Sequence, residues 1–267
     1  MKKNRTRIRK RAAPRSDITR IAGLLSRVRN LTVPDVGGPG TASGTMPVWA
    51  EPFHKVWLKN EGCEFVTRLA RAQAAELAAA VPFIQPGELV VGWDRLVPIV
   101  TAREQPFGNC IRLNIPRANE LKTQHPGRAA EIDGVVAGWQ DWLGKNPDRR
   151  GPTCHASLAY ERVIDLGIDG LRKYVARWRK RNGAARPECL PWYDALRTTL
   201  EGVSGFIAAH GHAAETAAAR PENRAHMTEL KRIARICLHV AHGKPRSFHE
   251  AVQLFYLMFM VCGHDSP

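Results

Sequence analysis

The sequence predicts a mainly α-helical protein with a few short strands. Through most of the chain, apolar residues recur every three or four positions, which is the spacing of one face of a helix. The clearest helix follows Pro221, and its apolar positions are Leu230, Ile233, Ala234, Cys237, Leu238 and Ala241. Segments with strand character are short, and residues 88–92 (ELVVG) are the best candidate for a buried strand. The 267 residues suffice for one large core or two modest ones.

The first 47 residues predict little buried structure. Residues 1–15 form a strongly basic arm that cannot bury apolar surface, so we expect them to be disordered. Ser16 is a suitable N-cap for a short helix, and residues 34–47 are rich in Gly and Pro, which is typical of a linker. We expect residues 16–267 to form one helical domain that contains this linker.

Further helices are predicted at 65–81, 128–143 and 160–180. Pro82 and Pro86 end the first, and the 96–101 segment that follows contains Pro98, which restricts it to a sheet edge or a loop. In the third, Gly167 and Gly170 each weaken the helix by up to about 1 kcal/mol relative to Ala.

The last quarter of the chain predicts a long alanine-rich helix at 192–219, the helix after Pro221, and a final helix. Ser247 caps the final helix, with Glu250 three residues later as a capping box. Residues 251–262 are apolar on nearly every side, so we expect this helix to be buried inside a large structure.

Composition and charge exclude several classes of protein. No apolar run reaches the roughly 20 residues that a membrane span needs, and the basic start is not followed by the apolar segment of a secretory signal. The formal net charge is +15, of which the first 20 residues carry +8. The six cysteines are far apart and without Cys-x-x-Cys spacing, which is typical of reduced, buried thiols and of a cytoplasmic protein.

Several candidate sites have a simpler structural interpretation. Six cations between positions 172 and 181 suggest nucleic acid, but helical phasing places Tyr174 and Trp178 on the apolar face, away from them. The histidines lack the spacing of a zinc helix, so no metal is predicted. Glycines 37–40 have no following Lys and Ser or Thr, which excludes a P-loop.

Four stretches, in this order, resemble the N-terminal third of the glycyl-radical enzymes, the family of pyruvate formate-lyase. Residues 88–92 are similar to the family's Glu-Leu-Ile-Val-Gly, and residues 154–171 (CHASLAYERVIDLGIDGL) are similar to its Gly-His-x-x-x-Asp-Tyr segment. Residues 229–259, which end in SFHEAVQLFYLMF, are the strongest match. Residues 263–267 (GHDSP) resemble the start of its Gly-His-x-x-Ser-Pro stretch.

The resemblance implies the N-terminal part of an α/β ten-stranded barrel in a lyase, dehydratase or formate acetyltransferase-like enzyme. In dehydratases of this family the matching histidine and serine, here His155 and Ser266, line the substrate pocket. A histidine there can hydrogen-bond a hydroxyl group and move a proton as a leaving group departs. Cys154 and Ala159 replace the family's usual glycine and aspartate, so the type of substrate stays open.

The resemblance also implies an anaerobic enzyme, a homodimer, that works with a small-molecule substrate and with a radical SAM iron–sulfur activase that installs a glycyl radical. The family's Gly-Cys-x-Glu and Arg-Val-x-Gly motifs are absent from this sequence, and Gly62-Cys63-Glu64 is no substitute for the first. We therefore expect an N-terminal fragment that carries no catalytic residue and is inactive alone. The alternative is a non-catalytic helical module that binds nucleic acid or an acidic partner through its basic arm.

Overall fold

A computed structural model describes residues 51–95, 115–145 and 158–265, except for positions 83, 86, 93, 117, 120, 121, 124 and 125. All of them belong to one compact unit. The helices with defined bounds are α1 (Glu51–Lys59), α2 (Phe65–Ala79), α3 (Ala129–Lys145), α4 (Tyr160–Gly183), α5 (Leu190–Ala218), α6 (Met227–Val240) and α7 (Phe248–Asp265). The described positions between 115 and 123 are helical as well. Short 3-10 turns precede α3, α5 and α6, at Pro126–Arg128, Pro187–Cys189 and Pro221–His226.

The two short strands form one antiparallel pair. They are β1 (Val81–Pro82) and β2 (Asp94–Arg95), and Val81 pairs with Arg95. Together with the helices they confirm the prediction of a mainly helical protein with a few short strands.

The 29-residue helix α5 lies at the centre, in contact with α2, α4 and α6. Its fully buried Phe206 and Ile207 join Ile233 of α6 and Leu254 and Leu257 of α7 in the main apolar core. The predicted face of α6 is confirmed, since its inward positions are buried except for the half-buried Leu238. Packing against α5 therefore positions the other C-terminal helices.

The predicted strand at 88–92 is wrong. This segment is irregular, and the Gln253 side chain of α7 replaces a neighbouring strand as its hydrogen-bond partner. The Val91 N–H donates to Gln253 Oε1 (3.0 Å), and Gln253 Nε2 donates to the Val91 carbonyl oxygen (2.5 Å). His249 Nε2 also lies 2.6 Å from the carbonyl oxygen of Leu89. One turn of α7 therefore fixes the segment at two points.

Within the described residues, α7 is buried on one side and exposed on the other. Phe248, Phe255 and Phe259 are 86%, 43% and 52% exposed. Their spacing of seven and four residues places them on one side of the helix, which we call the phenylalanine face. The opposite side of α7 is buried in the core through Leu254, Leu257 and Met258.

Several predictions fall outside the described residues: the basic arm 1–15, the short helix after Ser16, the linker 34–47 and the edge segment 96–101. Within the described residues, no helix combines the length and hydropathy required to cross a membrane.

Candidate active site

The two predicted substrate-binding residues, His155 and Ser266, both lie outside the described residues. The described chain resumes after His155 at position 158, just before α4, and it ends with α7 at Asp265. The start of α4 and the end of α7 are therefore the described parts of the chain that lie nearest in sequence to His155 and Ser266.

The first residue of α4 lies against the middle of α7 and close to Cys262 in its last turns. The rings of Tyr160, the first residue of α4, and Phe255 of α7 have centroids 4.4 Å apart. Burial raises the pKa of the Tyr160 phenol, and the Cys262 thiol raises it further. The tyrosine therefore stays protonated at neutral pH, and its hydroxyl can donate a hydrogen bond to an oxygen of a ligand.

A kink at Gly167 separates the part of α4 that meets α7 from the part that meets α5. Gly167 has φ 64° and ψ 175°, a conformation that residues with a side chain rarely adopt. A Cβ atom at this position would lie 2.4 Å from the backbone nitrogen of Lys244 and 2.5 Å from the carbonyl carbon of Gly243. The sequence predicts only a weakened helix here. The close approach to the α6–α7 turn instead requires glycine.

Polar contacts hold the kink next to the same turn. The Asp169 N–H donates to the His242 carbonyl oxygen (2.9 Å). The Asp169 carboxylate accepts a hydrogen bond from Arg172 Nη1 (2.8 Å) and lies 3.6 Å from His242 Nδ1. These contacts set the direction of the first part of α4.

The described residues offer no site for a metal. No group of three or more His, Cys, Asp or Glu side chains in these ranges is arranged to hold an ion. Cys63, rejected above as a radical residue, lies before α2, with its sulfur 3.4 Å from Arg71 Nη1 and 3.8 Å from Asn60 Oδ1. Its surroundings are a local hydrogen-bonded turn.

Two surface grooves lie elsewhere on the protein. One, of about 610 Å³, runs between the end of α5 and the start of α6 and includes Met227, Lys231 and Arg235. The other, of about 400 Å³, lies between β1 and α5 and includes Val81, Ile84 and Arg220. No α4 or α7 residue lines either groove, so neither is continuous with the junction of these helices within the described ranges.

Sequence reasoning missed the contribution of three residues near this junction. In the sequence, Tyr160 stands out only as part of the segment that resembles a family pattern, and Cys262 only as one of six separated cysteines. Gln253 carried a usable signal, because a glutamine inside an otherwise apolar helix must find hydrogen-bond partners when it is buried.

Comparison with known proteins supports a relationship across much of the chain. Residues 137–267 match the family described as pyruvate formate lyase-like. The chain is 29% identical over 104 residues to the (2S)-3-sulfopropanediol dehydratase of Klebsiella oxytoca, covering 38% of this chain and 13% of the relative. It is 22% identical to the 4-hydroxyphenylacetate decarboxylase glycyl radical subunit of Clostridioides difficile, covering 81% of this chain and 31% of the relative. The chain thus spans less than a third of each of these two relatives.

Solved structures show the same fold. The glycerol-bound B12-independent glycerol dehydratase of Clostridium butyricum superposes with a TM-score of 0.65 at 16% identity, over 92% of this chain and 34% of that protein. A glycyl radical enzyme from Archaeoglobus fulgidus superposes with a TM-score of 0.61 at 21% identity, over 83% of this chain and 33% of that protein.

Proposed function

Since residues 137–267 make this chain a relative of the glycyl-radical enzymes, we propose that it is the N-terminal part of a glycyl-radical dehydratase. The observation that carries the proposal is the family match over the segment that contains α4 to α7. The similarity of fold over 92% of the chain to a dehydratase structure supports it. A non-catalytic helical module has less support, because the proteins that match are enzymes.

The phenylalanine face supports the view that this chain is one part of a larger barrel. Three phenylalanines on one side of α7 present apolar surface that packing in a ten-stranded barrel would cover. The two matching structures are more than twice as long as this chain. The catalytic cysteine and the radical glycine, whose motifs this sequence lacks, would lie in the rest of the barrel.

We place substrate binding at the junction of α4 and α7. His155 lies five positions before Tyr160, and Ser266 lies four positions after Cys262, so contact between Tyr160 and α7 is expected to bring the two predicted residues into one pocket. His155 would hydrogen-bond a substrate hydroxyl and donate a proton as water leaves. The Ser266 and Tyr160 hydroxyls would orient the substrate, and the apolar wall of α7 would exclude water.

The printed names of several relatives support a substrate class for this proposal. Their names include dehydratases of a sulfopropanediol, glycerol, 1,2-propanediol and hydroxyproline, which are all small hydroxylated compounds. We propose a substrate of this class and elimination of water from it, started by a radical that the rest of the barrel supplies. Cys154 and Ala159, which replace the family's glycine and aspartate, would distinguish its pocket from those of the relatives.

The remaining expectations from the resemblance are part of the same proposal. A radical SAM iron–sulfur activase would install the glycyl radical, the working enzyme would be a homodimer, and it would act anaerobically in the cytoplasm.

The test uses the full-length protein that contains these residues, treated with a radical-installing activase without oxygen. We expect a glycyl radical in electron spin resonance and turnover of 1,2-propanediol or glycerol. His155→Ala should keep the radical signal and lower turnover by about 100-fold, as expected for loss of a general acid. His212→Ala changes an exposed histidine of α5 and should leave both unchanged. Absence of the radical would contradict the proposed chemistry, and wild-type turnover by His155→Ala would contradict the site.

A further inference from the structure

The second part of α4 carries a row of four exposed cations, Lys173, Arg177, Lys180 and Arg181. Their spacing of four, three and one residues places them on one side of the helix. At 1.5 Å per residue the row is about 12 Å long. No carboxylate of the described residues forms an ion pair with any of the four, which together we call the cationic row.

The other two cations of this segment are used inside the fold. Arg179 makes two hydrogen bonds of 3.0 Å to the Asp194 carboxylate of α5. Arg172 binds the Asp169 carboxylate and also approaches the Leu200 carbonyl oxygen (3.5 Å). The six cations between positions 172 and 181 thus form two groups. Arg172 and Arg179 are paired with carboxylates, and the four cations of the row, which are exposed, are not.

Two aromatic rings hold arginines of the row in place. The Arg177 guanidinium lies 5.4 Å from the centroid of the Tyr174 ring, and Arg162 lies 5.3 Å from the same ring. Arg181 lies 4.9 Å from the centroid of the Trp178 ring. The prediction that these rings lie away from the cations is therefore wrong. Because guanidinium groups already lie over them, the rings are poorly placed to stack nucleic-acid bases.

We propose that the cationic row binds an acidic helix of a partner protein. A row of exposed cations on one side of a helix complements a row of carboxylates on the facing side of another helix. Arginines restrained on aromatic rings lose less side-chain entropy when they bind than mobile ones. Nucleic acid would also be attracted by the charge, but it would gain little from the covered rings.

The test measures binding of the full chain to a labelled helical peptide whose glutamates have the spacing of the row, by fluorescence anisotropy. Reversing two charges of the row, Lys173→Glu with Lys180→Glu, should raise Kd by at least about tenfold, because each reversal replaces an attraction with a repulsion. The neutral pair Lys173→Gln with Lys180→Gln should weaken binding less. Helix content and thermal melting confirm that each variant is folded.

The control pair, Lys231→Glu with Arg232→Glu, changes net charge equally at exposed positions of α6. Its Kd should change by less than about threefold, because the charges lie outside the row and act only through screened, long-range interactions. An equal loss in the control pair would show that only bulk charge matters and would overturn the proposal. Unchanged binding by the row variants would overturn it too, as would tighter binding of a single-stranded oligonucleotide of the same charge.

Discussion

Glu250 links the turn after α6 to the first turn of α7. Its carboxylate accepts hydrogen bonds from the Arg246 N–H (2.5 Å) and guanidinium (2.9 Å). Its own N–H donates to Ser247 Oγ (3.3 Å), which confirms the predicted cap. In a capping box the carboxylate accepts a hydrogen bond from the N–H of the N-cap residue, here Ser247. The Glu250 carboxylate instead accepts from the N–H of Arg246, one residue earlier. The Arg246 guanidinium lowers the pKa of this largely buried carboxyl.

Glu250→Gln is expected to remove a pH-dependent part of the stability. A lowered pKa in the folded state stabilises the protein above the unfolded pKa of about 4.3, and this stabilisation is lost as the pH falls through the folded value. The wild type should therefore exceed Glu250→Gln in free energy of unfolding at pH 6, with the difference shrinking below about pH 4. Urea unfolding from pH 3 to pH 7 measures this. The exposed Glu201→Gln should show a smaller effect, and a difference independent of pH would contradict the assignment.

At the scale of elements, Gly167 lets α4 contact both α5 and the α6–α7 turn. Gly167→Ala is expected to lower the free energy of unfolding by at least about 2 kcal/mol, because Ala is strained at this φ and ψ and its Cβ would collide with the turn backbone. Urea unfolding at neutral pH gives the value.

Gly205→Ala is the matched control for this change. Gly205 is an exposed glycine inside α5, and a Cβ there would meet no side chain and no neighbouring element within 4 Å. The same substitution should stabilise the protein by up to about 1 kcal/mol, since Ala is the better helix former. If both variants lost stability equally, the kink would not be the cause of the Gly167 effect.

The sequence predicted the helices well because their signals are local. The face of α6 and the Ser247 cap each depend on residues within a few positions of one another. The strand at 88–92 and the kink at Gly167 were mispredicted because distant residues decide them: Gln253 lies 162 positions from Val91, and Gly243 lies 76 positions from Gly167. For the site, the family pattern supplied His155 and Ser266. The packing of Tyr160 on α7 has no local signal and needed the structure.

At the scale of the whole molecule, α7 contributes one side to the buried core and exposes the phenylalanine face on the other. Phe248→Ser with Phe259→Ser should change the free energy of unfolding by only about 1 kcal/mol or less, because these side chains are at least half exposed. The same pair should reduce binding of an apolar fluorescent dye, which reports exposed apolar surface.

Phe206→Ser provides the contrast, since Phe206 is fully buried in α5. It should cost about 3–5 kcal/mol, by the loss of core packing. Dye fluorescence and urea unfolding are measured for the wild type, the double variant and Phe206→Ser. Together they distinguish exposed phenylalanines, which bind the dye, from the buried phenylalanine, which stabilises the fold. Unchanged dye binding in the double variant would show that the phenylalanine face is not the apolar surface that the dye detects.

The contact between Gln253 and Val91 also bears on aggregation. An extended segment with unpaired backbone groups at the edge of a fold can recruit a strand from another molecule. At Val91 the N–H and the carbonyl oxygen are already bound by one glutamine side chain. An incoming strand would find no partner at this residue. By binding both backbone groups of Val91, α7 thus also prevents strand pairing with another molecule at this residue.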